Sequence, residues 1–227
     1  MKTQFKGFKK MNKIYKISLI AASLVIMSCE IPADLNDNPN EITVSDVDAN
    51  LFLNGAQLAN VIVQVSHMNR ISGMYSGQLV GYASLYSNIY GYSLSTVESN
   101  DEWSNAYVGV VANTRHIQAS APDDKLLVGI TKVLEAHAMS TLAILTGDVP
   151  FSEVLSDKDS PKFDDQKAVL DGCSTLLSDA ITTLSGATSR SEAYDIYYGG
   201  DKDKWIAAAY TLKARIALIK KDYASAL

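Results

Sequence analysis

From Cys29 to Leu227 the apolar residues of this chain recur mainly at the helical period, and no stretch keeps the alternation that a half-buried strand requires. That restricts the chain to a mainly α fold. The first amphipathic segment begins near Ser45 and Asp46 and runs towards His67, with Leu51, Phe52, Ala56, Ala59, Ile62 and Val63 as its apolar face. The second opens on Ser99-Asn100-Asp101-Glu102, which has the form of a capping box, and carries Trp103, Tyr107, Val110, Val111 and Ile117 until Pro122 stops it. Asp123 and Asp124 suit the N-terminus of a third, which lines up Leu126, Ile130, Val133, Leu134, Ala138 and Leu142 and ends at Gly147. Asp164 and Asp165 start a fourth, with Val169, Cys173, Leu176, Ala180 and Leu184 on one face and Gly186 behind it. Asp201 starts a fifth, whose stripe is Trp205, Ala209, Leu212, Ile216 and Ile219. After Lys220-Lys221-Asp222 a sixth helix is expected to begin at Tyr223.

The last three full helices start at a loose spacing near 40 residues, which predicts stacked helix-turn-helix pairs of the tetratricopeptide (TPR) kind joined by irregular loops. A helix of barely more than one turn cannot offset its own nucleation, so the sequence is expected to be incomplete at its C-terminus.

The first 28 residues read differently. Lys2, Lys6, Lys9, Lys10, Lys13 and Lys16 precede the apolar run 17–27, and Ser28 and Cys29 follow. This is the positive region and short apolar core of a secretory signal. The run falls short of the about 20 apolar residues a spanning helix needs. Translation could start at Met1 or Met11, since Lys13 and Lys16 already complete the signal. Ser28 before Cys29, after branched apolar residues, resembles the lipobox of bacterial lipoproteins, in which the cysteine is acylated and becomes the new N-terminus. Each buried CH₂ of an acyl chain contributes about 0.8 kcal/mol, so two or three chains anchor a protein durably. Residues 29–44 then form a polar, turn-rich tether, and 45–227 the helical domain.

With a net charge of −5 over 227 residues, the chain has no basic stripe for a phosphate backbone, and no nucleic-acid partner is expected. Cys173 is the only other cysteine, so it has no disulfide partner and reads as core. His67 and His116 stand apart from any cysteine or carboxylate at metal-binding spacing, and His137 sits beside Leu134 and Ala138 as a core histidine. Asp157-Lys158-Asp159 and Asp201-Lys202-Asp203 lack the length, glycine and terminal glutamate of an EF-hand. With no phosphate loop or nucleophile elbow, neither metal nor cofactor nor catalysis is expected.

Several segments, in order, resemble the SusD/RagB family of outer-membrane nutrient-binding lipoproteins, especially its SusD-like branch. Asn38-Pro39-Asn40 resembles the family's opening after the lipid-bearing cysteine. The stretch Gly147-Asp148-Val149-Pro150-Phe151-Ser152-Glu153-Val154-Leu155 resembles its "GDVPYSEAL", with Phe151 where tyrosine is common. Pro161-Lys162-Phe163-Asp164-Asp165-Gln166 and Leu176-Leu177-Ser178-Asp179-Ala180-Ile181 resemble "PKYDTQ" and "LLDEAI". Tyr198-Gly199-Gly200-Asp201 through Trp205, then Thr211-Leu212-Lys213-Ala214-Arg215, resemble "YNGDxxKW" and "NSLKLR". Family members run to roughly twice this length, so the later half is expected to be absent.

The resemblance implies a non-catalytic protein, lipid-anchored through Cys29 at the outer membrane and exposed at the cell surface. It would capture an oligosaccharide or peptide and act as the lid of a SusC-like TonB-dependent transporter. Sugar sites combine aromatic platforms with a few polar partners, and residues 72–95 hold the densest tyrosine group, punctuated by Gly and Ser. Tyr82, Tyr86 and Tyr90, with Gln78 and Asn88, are the candidate ligand contacts; the same i, i+4 tyrosine spacing also fits one face of a buried helix. Trp103 and Trp205 lie on apolar stripes and read as core. Two other functions fit parts of the pattern. A glycoside hydrolase would need two carboxylates about 5–9.5 Å apart, with Asp101, Glu102, Glu135 and Glu153 available. A TPR-like adaptor would contact only proteins.

Overall fold

Helix capping decides where most of the elements begin. The computed structural model describes residues 48–156 and 158–227; the signal segment, Cys29 and the tether lie outside the described residues. Helix α1 (Ala49–Val65) starts where Asp48 accepts a hydrogen bond from the Asn50 amide at 3.0 Å. The long central helix, α6 (Lys125–Thr146), starts at Asp124, which accepts from the Leu126 and Leu127 amides. Asp165 caps α7 (Gln166–Ser185) and Asp201 caps α8 (Lys202–Ile219) in the same way. The intervening short helices are α2 (His67–Tyr75), α3 (Leu85–Tyr90), α4 (Asn100–Ser104) and α5 (Asn113–Ser120). No strand forms among the described residues, and an isolated antiparallel bridge joins Val149 to Asp164.

α6 is the spine. Its Leu126, Leu127, Ile130, Val133, Leu134, Ala138, Met139 and Leu142 are all buried. By length and composition it could cross a membrane, but 78% of that window is packed inside the fold, which marks it as a core helix. α7 returns antiparallel along it: Gly129, near the start of α6, faces Leu184 at the end of α7, and a Cβ on Gly129 would lie 2.4 Å from Leu184 Cγ. α8 returns along α7, with Lys213 Nζ donating to Ser178 Oγ at 2.8 Å and Lys220 pairing with Asp171. This is the stacked pairing that the periodicity predicts. Cys173 is fully buried between the helices, and burial, with the negative charge of Glu135 nearby, pushes its thiol up to about 12.

Several expectations need correction. α1 buries only part of the stripe read from its apolar residues: Ala56, Ala59 and Val63 are buried, but Leu51 is 49% exposed and Ile62 42% exposed, whereas Gln57 and Asn60 are fully buried. Distant hydrogen bonds account for this. Gln57 Nε2 donates to Asp195 Oδ1 at 2.6 Å, Gln57 Oε1 accepts from the Ile196 amide, and Asn60 Nδ2 meets His137 Nδ1 at 3.2 Å and Tyr197 Oη at 3.3 Å. α1 also ends before His67, at a kink where Ser66 (φ −89°, ψ −135°) caps α2.

The capping box at Ser99 does not form. Ser99 makes no side-chain cap, and Glu102 turns inward, where its Oε1 accepts from Ser66 Oγ at 3.1 Å and the Met68 amide at 2.9 Å. The expected helix runs unbroken from Asn100 to Ser120 but changes type along its length: α4, a π-helical stretch (Asn105–Ala112) and α5. Asn105 and Asn113 side chains donate to carbonyls four residues back, and Gly109 lets the widened turns press on α1, where a Cβ would meet that of Ala59 at 2.5 Å. Finally, Tyr223 opens a turn and not a sixth helix, with Asp222 accepting from the Ser225 amide.

The segment after α6 is a clasp. Gly147 leaves the helix at φ +88°, Tyr107 Oη donates to the Pro150 carbonyl, and Asp164 accepts from the Phe151 and Ser152 amides and the Ser152 hydroxyl. Arg115 bridges this clasp to α6, donating to Glu135 and to the Val154 carbonyl.

Candidate aromatic ligand groove

Between α2 and α4 the chain makes an excursion with its own small core of Ile71, Met74 and Ile89, separate from the main one. Hydrogen bonds from the Gln78 and Leu79 amides to the Gly73 carbonyl turn the chain out of α2. Gly81 then passes so close to α3 that a Cβ there would sit 2.1 Å from the Tyr86 carbonyl oxygen, so no other residue fits. Ser84 (φ +53°) and Tyr92 (φ +61°) hold left-handed backbone, a conformation that costs non-glycine residues on the order of 1–3 kcal/mol and gathers at functional sites. The far edge is clasped by His67, whose Nε2 lies 2.5 Å from Glu98 Oε2.

These turns leave a groove of about 360 Å³, lined by Arg70, Met74, Leu79, Val80, Tyr82 and Tyr86 among others. Such a volume lies in the range of about 300–1,000 Å³ typical of small-ligand sites. Tyr82 is 88% exposed at the rim, and Tyr86 is half-buried on the small core. The three regularly spaced tyrosines are not one face of a buried helix: α3 holds only Tyr86 and Tyr90, and it buries Ile89 instead. Of the five candidates, Tyr82 and Tyr86 meet in the groove. Gln78, Asn88 and Tyr90 are exposed nearby without lining it. Sequence reading missed Arg70, which reaches the groove one helical turn before Met74. It also missed the stack of Tyr75 on Tyr92, with centroids 5.0 Å apart.

A second groove of about 440 Å³ runs between α6 and α8, past His137, Tyr198 and Trp205. Its rings serve the fold. Trp205 is buried, donates to Asp195 Oδ2 at 2.7 Å and stacks on Tyr197, whose hydroxyl donates to the Gln57 carbonyl. Burial, with Arg215 nearby, pushes the His137 imidazole down to about 4, so it is neutral at physiological pH. Trp103 is half-buried against Tyr107 and Phe163.

The carboxylates that a hydrolase would need are mostly committed elsewhere. Glu135 holds Arg115, Glu102 holds the α1–α2 kink, and Glu153 accepts from Lys158 and the Lys162 amide. Among the described residues no group of three or more metal-ligating side chains forms.

Stacked antiparallel helix pairs, with an aromatic groove on a strained excursion from them, define a helical scaffold of stacked hairpins. The chain belongs to the SusD-like family: the family model described as "Starch-binding associating with outer membrane" matches residues 39–226. Solved structures share the fold. A SusD/RagB family protein from Bacteroides thetaiotaomicron VPI-5482 superposes with a TM-score of 0.69 at 24% identity, over 76% of this chain and 38% of that one. A SusD-like protein from the same organism gives 0.64 at 22%, over 81% and 40%. A chitin-binding SusD homolog from Flavobacterium johnsoniae gives 0.59 at 20%, over 77% and 40%. The chain thus spans about two fifths of the length of these solved proteins. No curated protein sequence matches it.

Proposed function

We propose that this is a non-catalytic glycan-binding lipoprotein, anchored in the outer membrane through acylated Cys29, which holds an oligosaccharide at the cell surface for a SusC-like TonB-dependent transporter. The observation that carries the reading is the meeting of Tyr82 and Tyr86 in a groove shaped by strained backbone and Gly81, outside the main core. Phenol rings offer apolar faces to the CH surfaces of a sugar and hydroxyls to its edges. The family description and the chitin-binding relative support a sugar as cargo. The lysine-rich signal and the lipobox-like Ser28-Cys29 support surface anchoring.

Replacing both Tyr82 and Tyr86 by alanine is expected to weaken glycan binding roughly tenfold or more, on the order of 1–3 kcal/mol for two aromatic contacts. Isothermal titration against a glycan panel measures this, with thermal unfolding as the control for folding. Turnover of a bound glycan would replace binding by hydrolysis, and retention of peptides with no glycan bound would replace the cargo. Cys29→Ser should move the protein from the membrane to the soluble fraction and end its co-purification with a barrel transporter.

A further inference from the structure

Resting on that reading of the groove, we infer that its ligand carries negative charge: the site is built for an acidic oligosaccharide, with a carboxylate or sulfate on the sugar unit that meets Arg70. The hydrogen-bonding inventory points there. Sugar hydroxyls both donate and accept, and sites for neutral glycans answer them with amide or carboxylate side chains. None of the residues lining this groove is Asp, Glu, Asn or Gln. What it offers are two phenols and a guanidinium, and guanidinium only donates.

Arg70 is free to do so. Among the described residues it forms no ion pair and no side-chain hydrogen bond; its guanidinium stands 6.0 Å from the centre of the Tyr86 ring. Two acidic groups of this part of the chain face other partners. Glu98 is held by His67, and Glu102 is buried at the kink, accepting from Ser66 and Met68. A planar fork of N–H donors beside an aromatic face matches a carboxylate or sulfate in two-point contact, which a compact ammonium does not reproduce. The net charge of −5 does not override this, because exposed charges beyond a Debye length of about 8 Å are screened at physiological ionic strength.

The test is titration of the full chain with three probes of equal length: tetragalacturonate, a sulfated galactan tetrasaccharide and neutral maltotetraose. At least one acidic probe should bind ten times or more tighter than the neutral one, with affinity falling as salt is raised. Arg70→Gln should collapse that preference, and Arg70→Lys should restore only part of it. Response to tetragalacturonate alone assigns the carboxylate, and response to the sulfated probe alone assigns the sulfate. Neutral binding that depends on Tyr86, with no tighter acidic binding, overturns the inference and leaves the glycan groove standing. Acidic binding that survives Arg70→Gln unchanged also overturns it. Failure of all three probes removes the glycan reading and the inference together. The salt dependence of the unsubstituted chain is read without any variant, so it decides the matter even if Arg70→Gln unfolds.

Discussion

Asp195 organises more of the molecule than any other single side chain. Although only 4% exposed, its carboxylate accepts from Gln57 Nε2, Trp205 Nε1 and the amides of Tyr197, Tyr198 and Gly200, so one residue joins α1, α8 and the turn before α8. Gly200 is essential to that turn. At φ +85° it brings its amide to the carboxylate, and a Cβ would fall 2.0 Å from the Arg190 carbonyl oxygen. Asp195→Ala would leave several buried donors unanswered, at about 1–3 kcal/mol each for the worst placed. A loss of roughly 3 kcal/mol or more in urea unfolding is the expected result. A loss under about 1 kcal/mol would mean that the turn repairs itself. Tyr82 stands at the opposite extreme, almost fully exposed and replaceable with little effect on stability.

At the level of elements, aspartate does the punctuation. Asp48, Asp124, Asp165 and Asp201 each open a helix by accepting from its first free amides. Asp164, beside one of these caps, has a different task in the clasp. Burial pushes its carboxyl upward, but hydrogen bonds from the Ser152 amide and hydroxyl, from Lys162 and from the Phe151 amide prevail and hold it at about 2, below the ordinary 3.8. Because the folded value is depressed, the stabilisation is fully present above about pH 4 and is lost as pH falls through about 2. Asp164→Asn should therefore lower the urea midpoint at pH 6, and the gap from the parent should narrow from about pH 4 downward and close only below about pH 2. A gap independent of pH would show that the charge plays no part. The π-helical stretch makes a further point at this scale: its widened turns approach α1 so closely at Gly109 that a Cβ there would meet that of Ala59.

For the molecule as a whole, the main core joins α1, the π-helical stretch and α5 to α8, and the groove lies on an excursion with a separate small core. The two parts can therefore differ in local stability. Cys173 reports on the first. Fully buried and with its thiol pushed up to about 12, it should resist an aromatic disulfide reagent in the native state and react only at the rate of global unfolding, measured on a chain carrying Cys29→Ser. Faster reaction would mean that α7 opens locally.

Much of this architecture was legible in the sequence: the helical class, the aspartate-started helices α6, α7 and α8, their antiparallel stacking, the buried Cys173 and Trp205, and two of the groove's tyrosines. These follow from local rules, since capping, apolar period and glycine exits act within a few residues. Tertiary structure alone decided that Gln57 and Asn60 face inward, that Glu102 serves the Ser66 kink and not a capping box, and that Arg70 joins Tyr82 and Tyr86 while Gln78, Asn88 and Tyr90 do not. Each of those outcomes depends on partners outside the residue's own helical turn. Periodicity can say which side chains would gain from burial, but not which polar ones will find a distant partner that makes burial affordable.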